Sequence, residues 1–284
     1  MLILLYLIVM LNIIELAFCA TNLLAPRSYC GYQHTDDYVR KTSTISIDEF
    51  PWIAQLLYDE DKHILCTGSL INHRYILTGA QAFFLGYRPI AVRLGDYDAT
   101  RNKDCVQNVD DIEECSDPTM EFGIEKIIRH RHYKRISKLN DIGLIRLSTN
   151  VEYSEYIRPI CLPLSDSLQL IENQELAVSG WGLTSERGQA TTIKKKILTK
   201  LVSYETCHNI YMGSSKFVTQ FHLCGNESES YTCQGDGGGP LMMSVKNQWM
   251  QVGILSFGLW PLGTTSVYIN TAKYLNWIKQ NLEE

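Results

Sequence analysis

The chain of 284 residues carries no surplus of basic charge, with 26 Lys and Arg against 31 Asp and Glu and a net charge of −5. Nucleic-acid binders show the opposite balance, so nothing global points to one. Eight prolines and 19 glycines are too few for a collagen-like repeat. No heptad pattern is sustained, which excludes a long coiled coil. At 45% hydrophobic and 20% charged residues, the composition is also too apolar for a disordered chain. The nine cysteines contain no C-x-x-C spacing, which removes the usual zinc modules. Past residue 20 no apolar run approaches the roughly 18–20 residues of a membrane-spanning helix, so no transmembrane anchor is expected there.

What is present begins with an apolar stretch from Leu2 to Ile14, broken only by Asn12. It is short for a spanning helix, Glu15 follows closely, and Ala17 and Cys19 suit signal peptidase. Residues 1–19 therefore read as a secretory signal, a retained anchor being the alternative. Eight cysteines then remain (9 − 1), and in an exported chain their default fate is disulfides. Asn226-Glu227-Ser228 is an N-glycosylation acceptor consistent with that route.

From Phe50 onward, short apolar runs alternate with Gly, Asn and Asp. Pro51 to Tyr58, Ile64 to Leu70, Tyr75 to Thr78, Ile90 to Leu94, Ile142 to Leu147, Leu176 to Gly180 and Gln251 to Phe257 read as strands. The one long helix expected is the last segment, where Tyr274, Trp277, Ile278 and Leu282 share a face. Cys105 and Cys115 enclose nine residues of an acidic, turn-prone loop, a spacing suited to a local staple. The fold class is all-β with a C-terminal α-helix.

Seven ordered segments carry a resemblance. They are Phe50-Pro51-Trp52, Cys66-Thr67-Gly68-Ser69-Leu70-Ile71, Asn140-Asp141-Ile142-Gly143-Leu144-Ile145, Arg158-Pro159-Ile160-Cys161-Leu162-Pro163, Val178-Ser179-Gly180-Trp181-Gly182, Cys233-Gln234-Gly235-Asp236 with Gly238-Gly239-Pro240, and Trp277-Ile278. Together they resemble the chymotrypsin-like (trypsin-family) serine proteases, in particular the secreted insect immune-type branch. The resemblance implies two antiparallel six-stranded β-barrels with a cleft between them. It divides the chain into the signal at 1–19, a short segment at 20–40 tethered through Cys30, and a protease-like domain at 41–284.

The family's reaction needs a hydroxyl that attacks, an imidazole that takes its proton, and a buried carboxylate that holds the imidazole. At the matching positions this chain has Gln81, Gly237 and Asp141. The amide of Gln81 accepts no proton near neutral pH, and Gly237 has no side chain to acylate. Either loss alone costs roughly a millionfold in rate, about 8 kcal/mol. A catalytically inactive homologue, a pseudoprotease, is expected.

Further departures accompany this one. Active relatives are cut to expose an apolar start whose ammonium pairs with the aspartate before the nucleophile, here Asp236. At the corresponding cut this chain reads Val39-Arg40-Lys41-Thr42, so cleavage leaves Lys or Thr as a poor anchor. Asp236 then needs another donor, because an unpaired buried carboxylate is costly. The former substrate pocket would comprise Tyr231, Ser256, Gly258, Trp260 and Ser266. It is either partly filled by Tyr231 or Trp260, reshaped into an apolar surface, or merely patched by those groups. The resemblance pairs Cys30 with Cys161, Cys105 with Cys115 and Cys207 with Cys224. It leaves Cys66 and Cys233 as orphans, either buried and inert or bridged to each other.

The amides of Gly235 and Gly237 could form an oxyanion-type pair, or their loop could relax to a zymogen-like shape. Asp96 and the acidic loop after it partly match the calcium loop of some relatives. Otherwise no cofactor and no metal is expected.

Three functions follow. The first is a secreted, protein-binding cofactor, decoy or regulator in an extracellular proteolytic or immune cascade, its partners being proteases or their substrates. The second is an active endopeptidase using unconventional residues. The third is a glycan- or surface-binding module built on Arg129, Arg131, Lys134, Arg135 and Lys138 together with Lys194, Lys195 and Lys196.

Overall fold

A computed structural model describes residues 23–34, 45–83, 88–107, 113–163, 168–182, 191–226, 236–258 and 265–284. Six strands close the first barrel: β1 (Ile53–Leu57), β2 (Ile64–Leu70), β3 (Tyr75–Thr78), β4 (Ala91–Leu94), β7 (Met120–Arg129) and β8 (Gly143–Leu147). Around that barrel the order is β1-β2-β3-β8-β7-β4. A separate hairpin, β5 (Cys105–Gln107) with β6 (Glu113–Cys115), carries the local staple. The second barrel has β9 (Glu175–Gly180), β10 (Lys195–Val202), β11 (His222–Asn226), β12 (Pro240–Val245), β13 (Gln248–Phe257) and β14 (Thr265–Asn270). Its order is β10-β11-β14-β13-β12-β9, and every strand pair in both barrels is antiparallel.

Each short apolar run supplies a strand because a closed sheet buries both the barrel interior and much of the outer face. Thus β1 and β3 are buried along their whole length. The core does not stop at one barrel. Leu56, Leu70, Ile76 and Leu144 share one continuous cluster with Met242, Ile254 and Ile269 of the second barrel. Trp52, fully buried, points its indole Nε1 at Met242 Sδ 3.0 Å away. Ser69 of β2 donates its hydroxyl to Gln251 of β13. A cleft between barrels joined this way is set by packed side chains, and interiors at crystal-like density deform little.

Three disulfides join Cys30 to Cys161, Cys105 to Cys115 and Cys207 to Cys224. The first holds the N-terminal segment against the body, where Gly31 N donates to Pro159 O and Trp249 N donates to Gly31 O. A short helix, Tyr204–Ile210, is capped by Ser203 Oγ accepting from Thr206 N and presents Cys207 inward to β11. The chain ends in a 3₁₀ turn, Thr271–Tyr274, that runs into a helix at Leu275–Gln280. The expected apolar face therefore spans a 3₁₀ turn and a short helix, with Asn270 capping the turn by accepting from Ala272 N. Tyr274, Ile278 and Leu282 do share the buried side.

One sequence reading is corrected. Lys194 and Lys196 are buried, and Lys195 points inward to Asp236, so residues 194–196 make no basic surface. Lys196 Nζ lies 2.6 Å from the fully buried Glu49 carboxylate. Burial lowers the Lys194 pKa to about 8, with Glu49 and Asp96 among the charges that hold it up.

Candidate functional site

Gln81, Asp141 and Gly237 come together between the barrels. Gln81 lies in the 3₁₀ turn Ala80–Phe83 that follows β3, and Asp141 directly precedes β8. Because β3 and β8 are neighbours, with Thr78 opposite Gly143, the two residues meet at the same end of the sheet. Gln81 N donates to Asp141 Oδ1 at 2.8 Å, and Ser256 Oγ donates to Asp141 Oδ2 at 2.6 Å. Asp141 has no solvent exposure, and this desolvation lifts its pKa to about 6 against the pull of Lys138 and of those two donors.

Gln81 spans the cleft. Its Nε2 donates to Ser256 O at 2.8 Å and to Leu255 O at 3.3 Å, while its Oε1 accepts from Lys138 Nζ at 3.0 Å. Donors and acceptor of this amide are therefore all engaged in holding β13 to the loop between β7 and β8. A Cβ added to Gly237 would sit 3.3 Å from Gln81 Nε2 and 3.9 Å from Cys66 Sγ. Such a side chain would face the amide directly.

The segment around Gly237 is sutured on both sides. Thr67 N donates to Gly237 O, Thr67 Oγ1 donates to Asp236 O, and Gly238 N donates to Leu255 O. Gly238 has φ of +86°, and a Cβ there would collide with Thr78 Oγ1, so only glycine fits. Asp236 is buried at 1% exposure, and an amide and an ammonium are among the groups that hold its carboxylate. Gly182 N reaches Oδ1 at 2.7 Å and Lys195 Nζ reaches Oδ2 at 3.2 Å. Lys195 Nζ also donates to Gly182 O at 2.8 Å, which closes a ring of three groups. A Cβ on Gly182 would overlap the Asp236 carboxyl, so the seat depends on that glycine. The need for a donor at Asp236 was legible in the sequence; its identity, Lys195, was not, because a Lys-Lys-Lys run reads as solvated.

Cys66 is a free thiol, partly open to the cleft yet crowded enough by protein atoms that desolvation pushes its pKa up to about 11. Tyr58, whose hydroxyl donates to Ala82 O, lies beside it. Of the residues expected at a former substrate pocket, Ser256 and Ser266 are buried and Gly258 is exposed, with a Gly258 Cβ position 3.7 Å from Ser266 Oγ. Tyr231, Cys233, Gly235, Trp260, the Arg40–Lys41 bond and residues 1–19 lie outside the described residues. Asn226 ends β11 and is exposed, and the rest of its triplet also lies outside them.

Among the described residues, the carboxylates of the acidic loop do not converge as a calcium cage. Asp96 Oδ2 faces Arg93 Nη1 at 3.4 Å, and Asp104 Oδ2 accepts the amides of Tyr97 and Asp98. The one grouping of three metal-type side chains among the described residues is Cys105, Glu113 and Cys115, and its two sulfurs are bonded to each other. No helix among those residues is long and apolar enough to cross a membrane.

Residues 39–278 match the family model described as Trypsin. The chain is 34% identical to CLIP domain-containing serine protease B9 of Anopheles gambiae over 253 residues, covering 84% of this chain and 61% of that protein. It is 34% identical to CLIP domain-containing serine protease HP8 of Bombyx mori over 281 residues, covering 93% and 74%. Phenoloxidase-activating enzyme 1 of Spodoptera litura is 34% identical over 276 residues, covering 91% of this chain and 70% of that one. The crystal structure of the Drosophila Grass clip serine protease of the Toll pathway superposes with a TM-score of 0.78 at 28% identity, covering 91% of this chain and 76% of that chain.

Proposed function

Since the chain belongs to the trypsin family, we propose that it is an extracellular, non-catalytic homologue that binds proteins of a proteolytic cascade. The observation that carries the reading is the state of Gln81. Its amide bridges Ser256 O and Lys138 Nζ, so the group in the proton acceptor's place is a structural tie across the cleft. Opposite it, Gly237 offers no atom to attack a carbonyl. Asp141 alone can neither form an acyl intermediate nor move the proton that one would need.

The competing reading, an unconventional nucleophile, would fall to Cys66, whose Sγ lies 3.9 Å from the Cβ position of residue 237. A thiol with a pKa of about 11 is ionised to only about one part in ten thousand at pH 7, and the thiolate is the reactive form. The names of the relatives support the setting. One relative is named for activating phenoloxidase, itself a protein, and one similar structure is named as a protease of the Toll pathway.

The test is labelling by a fluorophosphonate probe. The wild-type protein is expected to label no more than a heat-denatured control, and Gly237→Ser alone to stay at that level because no base faces the new hydroxyl. Labelling of the wild-type protein above the control refutes the proposal.

A further inference from the structure

One lip of the cleft is built unlike the rest of the molecule. Residues 129–140 contain Arg129, Arg131, Lys134, Arg135 and Lys138 and no acidic residue, in a chain whose net charge is −5. Four of these five are on the loop between β7 and β8, and Lys138 reaches furthest into the cleft, to Gln81 Oε1 and, at 3.5 Å, to the Tyr133 hydroxyl. From the second barrel, Lys216 approaches the same lip. Its Nζ lies 3.5 Å from Gly258 O and 5.4 Å from the centre of the Phe257 ring. The two ammonium groups are close enough that Lys138 depresses the Lys216 pKa, adding to the larger effect of burial. Neither lysine has a carboxylate at ion-pair distance among the described residues.

The lip is held in shape. Phe217 N donates to Ser137 O, the Tyr274 hydroxyl donates to Asn140 Oδ1, and Asn140 Nδ2 donates to His132 O. Lys138 itself sits at φ of +58°, a left-handed conformation that the surrounding bonds enforce. Beside the two lysines stand two large apolar side chains facing solvent, Ile136 at 76% exposure and Phe217 at 58%. The bond between Phe217 N and Ser137 O places these residues on adjoining stretches of chain.

We propose that this lip, formed by Ile136, Lys138, Lys216 and Phe217, binds a protein segment in which acidic side chains alternate with apolar ones. Paired cations with no carboxylate at ion-pair distance among the described residues, the buried Asp141 offsetting only Lys138 from further off, favour an anion that bridges them. The adjacent apolar groups select among anions. A sulfated glycan has charge but little apolar surface to cover Ile136 and Phe217, whereas a peptide supplies both. This inference rests on the non-catalytic reading, because Lys138 holds its position through the Gln81 amide that replaces a base.

The test uses the full chain and two fluorescein-labelled decapeptides, one alternating Leu with Asp and one alternating Leu with Asn. Fluorescence polarisation is expected to show the Asp peptide binding at least roughly tenfold more tightly than the Asn peptide at low salt, with the gap shrinking as salt rises. The double variant Lys138→Glu/Lys216→Glu should lose roughly tenfold for the Asp peptide. Ile136→Ser/Phe217→Ser should weaken both peptides, and Lys103→Glu, on an exposed loop elsewhere, should stay within about twofold. Thermal melts check that each variant folds. Equal affinity for the two peptides, no detectable Asp-peptide binding, or an affinity untouched by the lysine reversals overturns the proposal. So does heparin binding that depends on the lysines and is indifferent to Ile136 and Phe217. Fluorophosphonate labelling of the same preparation would refute the non-catalytic reading while leaving the peptide result to stand or fall by itself.

Discussion

Asp141→Asn should make the protein more stable above pH 6 and leave it nearly unchanged near pH 4. A buried acid whose folded pKa lies above its unfolded value takes up a proton on folding between those two values. Its contribution therefore favours the folded state below about pH 4 and is lost as pH rises to about 6. The rise from 3.8 to about 6 corresponds to roughly 3 kcal/mol, at 1.36 kcal/mol for each tenfold change in proton affinity. Asparagine removes that penalty and still accepts from Gln81 N. That figure is already net of the charge-assisted bonds from Ser256 and Gln81, so the expected gain is about 2–3 kcal/mol at pH 8, or about 4–10 °C in Tm for a domain of this size. Asp96, raised to about 6, and His222, lowered to about 4, also titrate in this range, but both are present in either protein and cancel in the difference. Melting the two proteins by circular dichroism at pH 4, 6 and 8 reads the effect. A variant less stable at pH 8, or a gap of the same size at pH 4 and pH 8, would refute the reasoning.

Two further outcomes follow from buried groups. Lys195→Met should destabilise by about 3 kcal/mol or more in urea unfolding, because it removes the ammonium paired with the buried Asp236 carboxylate; a change under about 1 kcal/mol would mean that the pair contributes little. Cys66 should react with iodoacetamide at pH 7.5 far more slowly than free cysteine does and accelerate on denaturation, given its raised pKa. Equal rates in the folded and unfolded protein would contradict that.

The parts of the fold that were legible in the sequence are those where apolar burial marks the element. The strands Ile64–Leu70 and Tyr75–Thr78 fall where the apolar runs put them, although the polar bonds of Thr67 and Ser69 to the second barrel were not foreseen. By contrast, β7 and β10 were hidden by their charges. In β7, Glu121 and Glu125 face out toward Arg93 and Arg74, so the strand has one wet side. In β10, Lys195 and Lys196 look like surface and are buried against Asp236 and Glu49, residues that no local pattern connects to them. The same limit applies to the cleft. Motif order located Gln81, Asp141 and Gly237, yet the role of Lys138 as the acceptor's partner depends on a loop conformation that spacing does not encode. Lys216 comes from a different barrel and was not singled out at all.

The bridge from Cys30 to Cys161 has a consequence for how processing would look at the bench. A single peptide-bond scission anywhere between those two half-cystines yields two pieces that stay covalently linked. Nothing diffuses away, the intact mass grows by one water, and mobility on a gel changes only after a reductant is added. A leading segment severed near residue 40 would travel with the remainder of the molecule as a tethered light chain.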